Sequence, residues 1–150
     1  MNKLYMLEHF VNDGKDVKCG VPIEDVQLVG FFSTTENLNQ AIFYCNRVGV
    51  PSDELRIQTF FLDIAATQRN VYVLSYSYRV YEEEEYYDYF VMFAPATNER
   101  HCRQLKAALL RLPEYQPSPE HEFLLSSNGF YIHKYPLDHI MPVTSFDAED

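Results

Sequence analysis

Tryptophan is absent from this chain, glycine is scarce, and acidic residues outnumber basic ones almost two to one. Five glycines leave little room for a Gly-rich loop that cradles phosphate groups, and no such motif is found. Twelve Lys and Arg against 22 Asp and Glu give a formal net charge of −10. A surface that neutralises nucleic-acid phosphates needs clustered Lys and Arg, so the sequence predicts no nucleic-acid partner. It favours a basic protein instead, although excess acid also serves simple solubility.

Cysteine is also rare. Cys19, Cys45 and Cys102 each stand alone, without the CxxC spacing of a zinc site or redox motif, so reduced thiols are expected. The N-terminal residues contain no apolar run of secretory length. No stretch approaches the roughly eighteen apolar residues of a membrane span. We therefore expect a cytoplasmic protein with no membrane segment.

Tyrosine and phenylalanine are what the chain has in abundance, with twelve and eleven copies. Aromatic residues fit the half-buried pleated surface of a sheet, so strands are favoured. The apolar fraction of 47% in 150 residues is enough for a packed core. The length falls in the range of one compact domain.

The sequence contains a weak internal repeat that divides it into two similar halves. Each half reads as an apolar opening strand, a polar connection, a second apolar strand, a helix and a closing strand. The opening strands are 4–7 and 71–74, the connections 12–25 and 82–88, the second strands 26–32 and 89–93, and the closing strands 55–62 and 130–137. The sequence thus predicts an α+β fold of two tandem β-β-α-β units.

The predicted units are 1–68 and 69–140, followed by a frayed acidic tail at 141–150. A lone unit would leave a sheet face or edge bare. We therefore expect the two copies to form a pseudo-dimer, with mainly antiparallel sheet and with the helices packed on one face.

Start signals mark both helices. Ser33 and Glu36 have the spacing of a capping box, and Thr97 is the predicted N-cap of the second helix. Apolar positions then recur with helical spacing. They are Leu38, Ala41, Ile42 and Cys45 in the first helix, and Cys102, Leu105, Ala108, Leu109 and Leu112 in the second.

Three segments of the first half resemble a small uncharacterised bacterial domain. They are Tyr5-Met6-Leu7-Glu8-His9, Val29-Gly30-Phe31-Phe32-Ser33-Thr34 and the strand that ends in Leu62-Asp63. That family has a YVLEH-like first strand, an IGxYSS-like second strand that leads into a helix, and a final Tyr-x-Leu-Asp. The second half keeps Tyr72, Leu74, Tyr135, Leu137 and Asp138 but has Ser75-Tyr76 and Ala94-Pro95 where the pattern differs. The resemblance carries no activity, but some such domains look like immunity proteins encoded near toxins.

The most distinctive local feature is an acidic, tyrosine-rich segment at the expected tip of a hairpin. It consists of Glu82, Glu83, Glu84, Glu85, Tyr86, Tyr87 and Asp88. Tyrosines supply contact area with little loss of entropy, and carboxylates steer a basic partner. These seven residues are the predicted partner-binding site. The alternative is a solvated loop whose like charges protect a sheet edge from aggregation.

Catalytic and metal sites are not predicted. Glu8 and His9 are adjacent on a strand, so their side chains are expected on opposite faces. The candidate metal ligands have no recognised spacing; they are His101, Cys102, His121, His133 and His139. Cys45 and Cys102 lie on inferred core faces and Cys19 lies in an acidic loop, which disfavours a thiolate nucleophile.

The sequence therefore predicts a non-enzymatic protein-binding module without a cofactor. Its most specific form is an acidic immunity protein or inhibitor of a basic toxin such as a nuclease. One alternative is a small-molecule-binding protein or enzyme with a Tyr- and His-lined cleft between the two units. Another is a structural homodimer that pairs through an exposed strand edge.

Overall fold

The computed structural model describes residues 2–18, 21–119 and 121–143. The chain forms two compact units. Unit 1 comprises residues 1–69 and the C-terminal segment from Pro136 onward, and unit 2 comprises Asn70–Tyr135. The predicted boundaries place 136–140 in the second unit, whereas in the structure the chain returns to unit 1 at Pro136.

Unit 1 contains β1 (Asn2–Lys18), β2 (Val21–Phe32), α1 (Thr35–Arg47) and β3 (Leu55–Leu62). Both flanking strands run antiparallel to β1, in the order β2-β1-β3. The opening strand of the unit is thus the central strand of its sheet.

Unit 2 contains β4 (Asn70–Glu82), β5 (Glu85–Met92), α2 (Glu99–Leu109), β6 (His121–Phe123) and β7 (Phe130–Pro136). Its sheet has the order β5-β4-β6, and β7 also pairs with β4. The described residues therefore form an α+β protein with antiparallel sheets and two α helices, which confirms the predicted class. Neither helix has the length and apolar character needed to cross a bilayer, within the residues that the structure describes.

Both hairpins are longer than predicted. The connection expected at 12–25 is largely strand, since β1 continues to Lys18 and β2 begins at Val21. The connection expected at 82–88 shrinks to a two-residue turn, because Glu82 pairs with Glu85. An antiparallel ladder propagates through backbone hydrogen bonds once its register is set, so polar side chains do not stop it.

Both predicted N-caps are wrong by one residue. Thr34, rather than Ser33, caps α1, and its hydroxyl accepts a hydrogen bond from the Asn37 N–H at 3.1 Å. Asn98, rather than Thr97, caps α2 by accepting from the His101 N–H at 2.9 Å. In both cases the residue with the extended backbone and the short polar side chain nearest the first helical turn fulfils the role.

The core of unit 1 lies between α1 and one face of its sheet. Leu38, Ala41 and Cys45 form the buried stripe of α1, as the helical spacing predicts. They pack with other buried residues from the strands, from the connection after α1 and from the C-terminal segment, namely Leu7, Val29, Phe32, Val50 and Val143. Burial raises the pKa of the Cys45 thiol, which suits a core residue.

The C-terminal segment runs along the outer edge of β2. Leu137 forms a parallel bridge with Phe31, and the Met141 N–H donates to the Val29 carbonyl at 2.8 Å. A Cβ on Gly30 would lie 2.5 Å from the His139 carbonyl oxygen, so this close approach requires glycine. Of the tail predicted to be frayed at 141–150, Val143 is buried, and residues 144–150 lie outside the described residues.

Asp138 joins this segment to the start of α1. Its carboxylate accepts from the Ser33 N–H at 2.8 Å and from the Ser33 hydroxyl at 2.6 Å. Its backbone N–H donates to the Phe31 carbonyl at 2.8 Å. The predicted capping residue Ser33 thus bonds across 105 positions of sequence instead of within its own helix.

The core of unit 2 is smaller and richer in aromatic rings. Leu74, Tyr76, Cys102 and Phe130 are buried together. The predicted stripe of α2 is only partly right, because Leu105, Ala108 and Leu112 are exposed and the helix ends at Leu109. A single buried position within an eleven-residue helix leaves most of α2 facing solvent.

Candidate docking surface

The β4–β5 hairpin sorts its side chains onto two faces. Leu74 and Tyr76 pack with Cys102 of α2, so the even-numbered positions of β4 face the helix. The odd-numbered positions face away from it. Cross-strand partners share a face, and Arg79 pairs with Asp88 while Tyr81 pairs with Tyr86.

Four aromatic rings are exposed on the face that points away from α2. Their exposed fractions are 57% for Tyr81, 51% for Tyr86, 51% for Phe90 and 46% for Tyr131. Phe90 pairs with Ser77 across the hairpin, and Tyr131 belongs to β7 on the other side of β4. We call these four residues the aromatic face.

Small residues on the central strand bring the flanking strands' rings together. Ser75 is fully buried and its hydroxyl lies 2.8 Å from Nε2 of His133. The His133 ring meets Phe90 edge-on at 6.2 Å and Tyr131 at 4.8 Å, measured between centroids. Both contacts have the geometry that aromatic pairs prefer. His133 therefore links Phe90 to Tyr131 across β4.

The acidic segment occupies the end of this hairpin. Glu83 and Glu84 form the turn, and they are exposed together with Glu85. Glu83 has a φ of 54°, a left-handed conformation that a residue with a Cβ adopts at a cost. The turn thus holds carboxylates where the backbone alone would favour Gly or Asn.

Asp88 is not available as an uncompensated charge. Its carboxylate accepts from Arg79 Nε at 2.6 Å and from a terminal guanidinium nitrogen at 3.2 Å. The hydrogen bond from Arg79 lowers the pKa of Asp88. The same guanidinium carbon lies 4.3 Å from the centroid of the Tyr86 ring. Arg79 therefore fixes both a carboxylate and a ring at the base of the hairpin end.

Tyr81 is held by β6. Its hydroxyl donates to Glu122 Oε2 at 2.5 Å, and this bond raises the pKa of the phenol. Glu122 itself is exposed, opposite Arg79 in the β4–β6 register. The carboxylate orients the tyrosine and adds a further negative charge beside the aromatic face.

The structure brings together part of the predicted site. Glu83, Glu84, Glu85 and Tyr86 lie at or next to the turn, and Glu82 closes it through the backbone register. Tyr87 pairs with Val80, on the face that points toward α2, and is half-buried. Tyr87 is thus less accessible to a partner than Glu83, Glu84, Glu85 and Tyr86, whereas Asp88 is exposed but engaged by Arg79.

Four residues of this surface were not predicted as site residues, namely Tyr81, Phe90, Tyr131 and His133. Period-two alternation separates two faces within 76–82 and within 85–92, but Tyr81 and Phe90 share a face only through the register that pairs Glu82 with Glu85. Tyr131 and His133 join them only through the pairing of β7 with β4. That pairing spans more than fifty residues and has no local signature.

His133 gives the protein a component of pH-dependent stability. Its ring contacts Ser75, Phe90, Tyr131 and Tyr135, and burial lowers its pKa from 6.5. The unfolded state therefore binds the proton more readily, and this component of stability is lost as the pH falls below about 6.5.

We expect His133→Gln, which can still accept from the Ser75 hydroxyl, to weaken this dependence. The measurement is the urea midpoint at about pH 7.5 and about pH 5.5 for both proteins. His101→Gln, at an exposed position of α2, is the control and should keep the wild-type difference. An unchanged difference in His133→Gln would contradict the assignment.

The residues that the sequence offers for catalysis or metal binding, and for which no site is predicted, are also separate from one another in the structure. Glu8 accepts from Gln58 Nε2 at 2.9 Å, whereas His9 lies near Glu54, with 3.5 Å between Nε2 and Oε1. The pair therefore does not act as one unit. Within residues 2–18, 21–119 and 121–143, no three or more His, Cys, Asp or Glu side chains are grouped as a metal would require. Cys19 lies outside the described residues.

Comparison with known proteins adds no assignment. No family model, curated protein or solved structure matches the chain. The family resemblance in the first half and its link to immunity proteins therefore stay predictions, and function has to be argued from residues and their contacts.

Proposed function

We propose that the protein is a non-enzymatic binding module whose unit 2 docks onto a basic protein. The observation that carries this proposal is the aromatic face, four half-exposed rings on one side of a sheet, next to an acidic turn. Exposed apolar groups gathered on one surface are characteristic of interaction sites. The aromatic face supplies contact area, and the turn supplies charge.

The rings are suited to anchor a partner because their conformations are already restricted. Tyr81 is held by Glu122 and Tyr86 by Arg79, so both lose little rotational freedom when they are buried. Tyrosine is also enriched among residues that dominate binding energy. The surface is therefore partly preorganised before a partner arrives.

Charge defines the class of partner. Between Arg79 and Asp88 the chain carries five carboxylates and one guanidinium, and the guanidinium is engaged by Asp88. Glu83, Glu84 and Glu85 remain exposed at the tip. A field of this sign accelerates association with a positively charged surface and repels nucleic acid.

The most specific form of the proposal is an inhibitor of a basic toxin such as a nuclease, consistent with the immunity-protein resemblance. Carboxylates at the turn would occupy positions where the toxin holds phosphates of its substrate. The rings would then cover the surrounding surface and exclude water.

Reversing the turn charges tests the proposal. We expect Glu83→Lys, Glu84→Lys and Glu85→Lys, combined in one variant, to weaken capture of the basic partner more than tenfold at low salt. The measurement is affinity capture from the native host, followed by titration with the recovered protein at two ionic strengths. The matched control reverses Glu36, Asp53 and Glu114, which are exposed elsewhere and give the same net charge.

The contribution of the aromatic rings to partner binding should differ from that of the turn charges in its dependence on salt. Phe90→Ala should weaken binding at both ionic strengths, because loss of apolar contact is not screened by salt. Equal weakening by the turn variant and by its charge-matched control would mean that only net charge matters, and would remove the site assignment. Capture that is unaffected by all these changes would remove the docking surface itself.

The finer architectural proposal is a duplication. Its support is that each unit begins with two antiparallel strands and a helix, and that its opening strand is central in its sheet. The pseudo-dimer and the cytoplasmic location stay predictions. So do the ligand-binding cleft between the units and the structural homodimer.

A further inference from the structure

The two edges of the sheet in unit 1 differ. The outer edge of β2 is occupied at Val29 and Phe31, which accept hydrogen bonds from Met141 and Asp138 of the C-terminal segment. The outer edge of β3 pairs with no other strand among the described residues. Unpaired backbone groups along a strand are a template for another chain.

The open edge also carries exposed apolar side chains. Ile57 and Phe61 lie on the same face of β3, four positions apart, and are 47% and 58% exposed. Leu55, on the same face, packs toward the core beneath α1. The apolar surface of unit 1 therefore extends beyond the area that α1 covers and reaches the sheet edge.

This edge is electrically neutral in a chain of net charge −10. β3 contains one charged residue, Arg56, and its Nε lies 3.3 Å from the Glu8 carboxylate. Two copies of an acidic protein repel each other wherever carboxylates meet. The residues of β3 provide eight positions without a carboxylate at which two copies can approach.

We propose that β3 is the interface of a homodimer, in which two copies of β3 pair antiparallel about a two-fold axis at Thr59. In this register Ile57 of each copy lies opposite Phe61 of the other. The two-fold axis therefore produces two identical Ile57–Phe61 contacts, which cover both exposed apolar residues of each copy. The two sheets join into one continuous sheet, and the edge formed by β3 is closed in both copies. This interface shares no residue with the docking surface of unit 2.

The interface can be tested by introducing either a positive or a negative charge at Ile57. Ile57→Lys and Ile57→Glu should each raise the dimer dissociation constant by more than about tenfold, since either charge would be buried against Phe61 of the partner copy. The measurement is sedimentation velocity from micromolar to submillimolar concentration. Phe90→Lys, at a similarly exposed position on β5, an edge strand of the sheet in unit 2, is the control and should leave dimerisation unchanged.

The register has its own test. In a Cys19→Ser background, Thr59→Cys places two thiols opposite each other across the axis, within the Cα separation of a disulfide. We expect oxidation to crosslink this variant as a dimer, whereas Phe43→Cys, exposed on α1, should stay uncrosslinked. Crosslinking in both variants, or in neither, would overturn the register.

Three results would overturn the interface: wild-type protein that is monomeric throughout the concentration range, dimerisation that survives both Ile57 variants, or loss of the dimer in Phe90→Lys. The proposed function fails separately. Ile57→Lys should still capture the basic partner, whereas Phe90→Lys should lose the partner and keep the dimer.

Discussion

Arg56→Met is expected to destabilise the protein by about 3 to 5 kcal/mol, because it leaves a buried carboxylate without its cation. Glu8 is 6% exposed in the middle of β1, and its Oε1 accepts from Arg56 and Gln58 on the adjacent strand β3. The Arg56 guanidinium also lies over the Phe10 ring at 5.0 Å. Methionine keeps the apolar stem but removes the charge and its hydrogen bonds.

The reciprocal change is expected to cost less. Glu8→Gln leaves Arg56, whose side chain is 37% exposed and can turn toward water, so we expect a loss below about 2 kcal/mol. The double variant Glu8→Gln and Arg56→Met removes both charges and should recover much of the loss. Urea unfolding of the four proteins measures the cycle.

Equal losses from the two single variants would show that solvent compensates Glu8 as well as Arg56. A double variant that is less stable than Arg56→Met would show that the Glu8 carboxylate is not destabilising without its cation, and would contradict the proposed cause. The sequence alone predicts no role for Glu8 beyond its separation from His9. Its partners come from β3, some fifty positions away, and so have no local signature.

The elements that could be predicted are those with a local physical cause. The stripe of α1 and the bounds of β3 follow from periodicity, and Leu55–Leu62 is observed as predicted. Turn chemistry was less informative. The β4–β5 ladder extends to Glu82 and Glu85 and leaves only the two glutamates between them as a turn, where composition predicts a longer polar loop.

The stripe of α2 shows why helical spacing alone overestimates burial. Leu105 and Leu112 have the spacing of a buried face but are exposed. Spacing states which residues share a side of a helix, whereas burial depends on how much sheet lies opposite. In unit 2 that face of the sheet is already filled by Tyr76, Tyr115 and Phe130, whose rings contact one another.

The docking surface also has one part that the sequence predicts and one part that depends on strand pairing. The acidic turn is recognisable in the sequence as four consecutive glutamates, and in the structure it lies at the end of a hairpin. The aromatic face depends on strand order, since β7 contributes Tyr131 only because it pairs with β4. Charge compensation of Asp88 by Arg79 is likewise a matter of register, which fixes these two residues opposite each other.

Ending the chain after Pro136 is the second change for which we expect a large effect, at least about 4 kcal/mol of stability in unit 1. It removes the buried Val143, the backbone hydrogen bonds to Val29 and Phe31, and the carboxylate that accepts from Ser33. It also bares the outer edge of β2 beside Gly30. We expect hydrogen exchange to show lost protection in residues 27–32 and in α1, while β4 and β5 keep theirs.

Two controls locate this effect. Ending the chain after Val143 separates the segment from the residues beyond it. Asp138→Asn keeps the backbone bonds and an acceptor for Ser33, so it should cost only about 1 kcal/mol. If truncation after Pro136 leaves the urea midpoint of unit 1 unchanged, the C-terminal segment is an appendage and unit 1 is complete at Arg69. If protection is lost as expected, unit 1 folds only after residues 137–143 have been synthesised, because they complete its sheet edge and its core.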